Sequence, residues 1–153
     1  MNNLNGKIPK TDADAGTYIK NEIDVKLDCI NDLWNKLERK LLKEQPPRRI
    51  TCLYDEAEGE TEDGDYVYYR RFIGVQRHGG KWRVCYADTT HYRDDESLPW
   101  KPVVECDVET RMHATAGIAQ LKRAVRNTGR DFIPALNKAI SALQDAITND
   151  EEE

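Results

Sequence analysis

Residues 66–88 read YVYYRRFIGVQRHGGKWRVCYAD, and this stretch decides the fold class. Tyr66, Val67, Tyr68, Tyr69, Phe72, Ile73 and Val75 are strand formers. His78-Gly79-Gly80 then supplies the positive-φ residues that a tight hairpin needs. Lys81 to Asp88 returns as the second strand, with Trp82, Val84 and Tyr86 on one face and Lys81, Arg83, Cys85 and Ala87 on the other. The sheet is therefore antiparallel.

Upstream, Arg48 to Tyr54 alternates and reads as another strand, with Ile50, Cys52 and Tyr54 on one face. Between it and the hairpin, Asp55 to Asp65 carries seven acids, no base and two glycines, which predicts a solvated loop. Gln45-Pro46-Pro47 ends a helix, because proline cannot donate to the helical ladder and displaces its predecessor from the α region. That helix runs from about Asp14 to Glu44. Ile23, Leu27, Ile30, Trp34, Leu37 and Leu41 recur at spacings of four and three and form one stripe. Residues 1–13 read as a flexible arm.

Downstream, Thr89 to Trp100 reads as a polar loop ending in Leu98-Pro99-Trp100. Lys101 to Cys106 suits a short fourth strand whose Pro102 points to an edge or a strand start. Asp107 is a candidate N-cap for a helix reaching about Asn127. Gly129 suits the residue after a helix end, and Asp131 with Pro134 suits a new helix start. Phe132, Leu136, Ile140, Leu143 and Ile147 line that last helix. The short Asn127–Arg130 link predicts an antiparallel αα-hairpin. Residues 149–153 form an acidic tail. The expectation is a single α+β domain over 14–148: one long helix, a three- or four-stranded meander and a helical hairpin, with the helices on one face of the sheet.

Composition narrows the function classes. The 153 residues include 23 Lys+Arg and 28 Asp+Glu, a formal charge of −5. Leu, Ile, Val and Phe number 31, near the ~20% level below which charged chains are disordered, but the aromatic residues and clear periodicity argue for folding. Collagen-like, membrane-spanning, disulfide-scaffold and histone-like classes are excluded. No stretch has signal-peptide order, so a cytoplasmic setting is expected. Cys29, Cys52, Cys85 and Cys106 then read as reduced thiols. Cys85-x5-His91 and Cys106-x6-His113 are spaced more widely than zinc pairs usually are, and the acidic stretch lacks the glycine and the final glutamate of an EF-hand. The reading is no metal and no cofactor.

Four leads remain. The acids Asp55, Glu56, Glu58, Glu60, Glu62 and Asp63, together with Trp100, are candidates for docking a basic protein, because opposite charge speeds encounter and tryptophan anchors interfaces. The hairpin carries a local charge of +5 over 66–93. Tyr68, Arg70, Phe72 and Arg83 are its candidates for single-stranded nucleic acid, with rings to stack bases and cations to follow phosphates. The helical stripe over 19–42, or the open sheet face, is a candidate homodimer seam. His91, close to Asp88, Asp94, Asp95 and Glu96, is the one histidine placed for acid–base chemistry. No nucleophile elbow, H-E-x-x-H, P-loop or dinucleotide fingerprint is present, so no catalytic residue is assigned. The expected function is a non-catalytic cytoplasmic protein-interaction module of the inhibitor, antidote or adaptor type. A nucleic-acid-binding module is the alternative and a small enzyme around His91 the third reading.

Overall fold

The computed structural model describes residues 11–90 and 97–152. The hairpin forms as its turn chemistry demands. Strand β2 (Tyr66–His78) meets β3 (Lys81–Thr89) with His78 opposite Lys81. Gly79 and Gly80 make the two-residue turn at φ 59° and 79°, where a side chain would clash with its own backbone. Strand β1 (Ile50–Glu60) flanks β2 and β4 (Lys101–Pro102) flanks β3, giving an antiparallel meander in the order β1-β2-β3-β4.

Helix α1 (Asp12–Glu44) starts at an N-cap, where the Thr11 side chain accepts from Asp14 N–H. Helix α2 (Val108–Ala114) starts at Asp107, which accepts from Thr110 N–H at 2.8 Å. A 3₁₀ turn at Thr115–Gly117 leads into α3 (Ile118–Glu152). The main core joins Ile50, Ile73, Val75, Val84 and Tyr86 of the sheet to Trp34 and Leu41 of α1, Ala114 of α2, and Leu121 and Val125 of α3. Gly117 permits this approach. A Cβ there would lie 2.7 Å from Ile73 Cγ2 and 2.9 Å from Tyr54 Cγ. A smaller cluster on the other face joins Phe72 and Ala87 to Leu98, with Leu53 and Trp100 packed against it. The helices thus share one face, and the chain at 97–100 covers part of the other.

Several local expectations are corrected. Asp55 to Glu60 is strand, not loop; only Thr61 to Asp65 turns. The acids are poor strand formers, but β2 offers a continuous partner and sets Arg71 opposite Asp55 and Arg70 opposite Glu56. The fourth strand is two residues long and passes into a 3₁₀ turn at Val103–Glu105. The C-terminal helical hairpin does not form. Asn127 to Asp131 are helical and α3 continues past them, with Pro134 inside it. A four-stranded sheet at about 4.8 Å per strand leaves room for roughly two helices about 10 Å apart, and α1 and the first half of α3 already fill that face. A returning helix has no surface to cover. Of the expected arm, Asp12 and Ala13 are helical and 1–10 lie outside the described residues; Asn149 and Asp150 of the expected tail continue α3.

Both long helices overhang the sheet. Ile19, Ile23, Val25 and Leu33 of α1 remain exposed, as do Ile133, Leu136, Ile140, Leu143 and Ile147 of α3. No helix among the described residues is long and apolar enough to cross a membrane.

Candidate functional site

Strand β3 ends opposite Arg70, so beyond Arg70 and Glu56 the sheet continues as a two-stranded ribbon of β1 and β2. The period-two geometry of strands sets one face of that ribbon. Glu56, Glu58 and Glu60 stand opposite Arg70, Tyr68 and Tyr66. The Tyr68 hydroxyl donates to Glu56, and hydrogen bonding to Glu58 pushes the Tyr66 hydroxyl above its ordinary range. Glu62 and Asp63 sit in the turn at the tip. On the opposite face Arg71 binds Asp55 at 2.8 Å, so Asp55 is neutralised within the chain. Of the sequence candidates for a basic partner, Glu56, Glu58 and Glu60 therefore form a ladder of carboxylates beside the exposed Tyr66 and the half-buried Tyr68. Trp100 does not join them. Its ring packs edge-on against Phe72, with centroids 6.4 Å apart, in the small cluster closer to the body.

Tyr68, Arg70, Phe72 and Arg83 do share a sheet face, as their alternation implies. They do not form a stacking platform. Phe72 is buried, Tyr68 is tied to Glu56, and the Arg70 guanidinium lies 5.1 Å from the Phe72 ring centroid. Arg83 turns to Glu38 of α1 at 3.2 Å.

Glu38 escapes sequence reading as a functional group. Its carboxylate also accepts from Val84 N–H at 2.9 Å. It thereby closes the edge of β3 where the short β4 leaves a backbone donor unmatched, a frequent need at sheet edges. The signal was an acid between Leu37 and Leu41 on an otherwise apolar helix side.

A second polar group lies on the helix-covered face. The Tyr54 hydroxyl meets His113 Nδ1 at 3.0 Å, and Tyr86 stands edge-on to the same imidazole at 5.3 Å while donating to Asp88 at 3.0 Å. Burial pushes Tyr54 up to about 12, and Tyr86 also rises, first by burial and then through its bond to Asp88. Burial, then the charge of Arg71, lowers the pKa of His113. An imidazole hydrogen-bonded to a phenol that burial keeps protonated is a latch between β1 and α2.

Among the thiols, burial raises Cys85 to about 12 and also raises Cys52 and Cys106, which leaves them poor nucleophiles. Among the described residues no group of three or more His, Cys, Asp or Glu side chains is placed to hold a metal ion. His91, Asp94, Asp95 and Glu96 lie outside the described residues. A cavity of about 180 Å³ between α1 and the start of α3 is lined by Ile30, Leu33, Trp34, Leu37, Thr115 and Ile118. It gathers no titratable group. Against known proteins, no family model, no curated protein and no solved structure matches this chain.

Proposed function

We propose that this protein is a non-catalytic interaction module working in the cytoplasm, of the inhibitor, antidote or adaptor kind, and that its acidic ribbon receives a basic macromolecular partner. The observation that carries this reading is the Glu56–Glu58–Glu60 ladder, which faces Arg70, Tyr68 and Tyr66 from the end of the third strand outward. Carboxylates bind guanidinium groups through paired charged hydrogen bonds, and phenol rings accept the cation's face. The ribbon holds both in a fixed register, so little ordering is left for the moment of binding. The uncompensated acids Glu58, Glu60, Glu62 and Asp63 speed encounter with a basic surface and make it salt-dependent.

The test uses the full chain and two probes in separate arms: an arginine- and lysine-rich peptide and a single-stranded oligonucleotide. The peptide is expected to bind at low salt and to weaken as salt rises. Replacing Glu56, Glu58 and Glu60 together by glutamine is expected to weaken it by about tenfold or more, the equivalent of about 1.4 kcal/mol. Equal peptide binding by the triple variant overturns the reading. Binding of the oligonucleotide in preference to the peptide, lost on replacing Arg70 and Arg83, replaces it with the nucleic-acid alternative.

A further inference from the structure

Among the described residues, the second half of α3 has no contact that explains its sequence. Ile133, Leu136, Ile140, Leu143 and Ile147 are 44–64% exposed. Their spacing of three and four is a heptad seam with isoleucine at the first position and leucine at the fourth. Carried back along the helix, the same two positions fall on Arg126 and Gly129; carried forward, the fourth falls on Asp150. This line runs beside the core-facing residues Leu121 and Val125, not through them.

One helix face therefore reads basic, then apolar, then acidic. Arg123, Arg126 and Arg130 are exposed at the basic end, and no described residue bonds to their side chains. The sequence places three glutamates directly after Asp150 at the other end. Such a face is complementary to itself in one orientation. Antiparallel pairing sets Asp150 opposite Arg126, Ile147 opposite Gly129, Leu143 opposite Ile133 and Ile140 opposite Leu136, and the layers then repeat in reverse. Parallel pairing stacks like charges on each other at both ends. The other overhang gives no better match, because residues 12–32 of α1 hold six acids and two lysines and repel the acidic end of α3.

Gly129 is an independent observation pointing the same way. It lies inside a helix, where glycine is disfavoured. A Cβ at this position would meet nothing within 4 Å, so no described neighbour requires the gap. In the antiparallel pairing described above, Ile147 of a second copy would fill it. Ala139 and Ala146 flank the seam and let a second backbone come close. Pro134 lies off the seam.

We infer that the exposed half of α3 is an antiparallel homodimer seam, occupied by α3 of a second copy. The inference is independent of the acidic ribbon. The test is the solution mass of the full chain by sedimentation at micromolar concentration. The wild type is expected to be a dimer. Leu136→Glu and Leu143→Glu, both at exposed sites, are expected to give monomers with unchanged helical circular dichroism, and Leu143→Ala a dimer about tenfold or more weaker. Arg126→Glu is expected to weaken the dimer, and Arg126→Glu combined with Asp150→Arg to restore it. A monomeric wild type, a trimer or larger, or a dimer indifferent to Leu136→Glu and Leu143→Glu overturns the seam. A dimer lost instead by Ile19→Glu and Ile23→Glu moves it to α1. Failure of the charge exchange to restore pairing overturns the antiparallel orientation.

Discussion

Glu38→Ala removes the acceptor of a buried backbone donor and leaves Val84 N–H facing no partner at the edge of β3. An orphaned buried donor costs about 1–3 kcal/mol, and the upper half of that range applies because the lost acceptor is a carboxylate. The same change frees Arg83. Its side chain is 25% exposed, against 11% for Glu38. The guanidinium can therefore turn toward water, which limits its share to about 1 kcal/mol or less. The sum is about 3 kcal/mol. For a chain of this size that lowers Tm by about 6–12 °C. Glu38→Gln keeps an oxygen for Val84 N–H and loses only the charge, so about 1 kcal/mol and 2–4 °C are expected. Thermal and urea unfolding, followed by tryptophan fluorescence at one fixed protein concentration, measures both. Two results refute the reasoning. If alanine costs less than about 0.5 kcal/mol, the edge donor needs no acceptor. If glutamine costs as much as alanine, the ion pair and not the edge bond is what Glu38 supplies.

Two further outcomes follow from the packing and the latch. Gly117→Ala drives a methyl group against Ile73 and Tyr54, so urea unfolding is expected to show a loss of about 1–3 kcal/mol; a neutral result means the 3₁₀ turn lifts off the sheet at little cost. His113 has its pKa lowered by folding, so the unfolded chain takes up a proton first. Stability from this group is therefore complete above about pH 7 and declines as pH falls from about 6.5 through the folded-state value. His113→Gln is expected to flatten that part of the pH–stability curve, and an unchanged slope assigns the titration elsewhere.

The sequence by itself determined the elements whose causes are local. Gly79-Gly80 could only turn tightly, the alternation on either side could only be strands, and the 3–4 spacing from Ile23 to Leu41 could only be a helix side. Asp107 announced its N-cap by type and position, and the α+β order followed from these. The candidate acids were equally legible as residues, since charge density is a property of the chain. Tertiary structure decided what depends on distant partners. Asp55 to Glu60 became a strand because β2 lay alongside with Arg70 and Arg71 in register, which overrode weak strand propensity. Asn127 to Asp131 stayed helical because two rods already covered the sheet. The Tyr54–His113 and Glu38–Val84 contacts join residues 59 and 46 positions apart, and no local spacing encodes such a meeting. The heptad of α3 lies between these cases: its period is written in the chain, but only the fold left it uncovered.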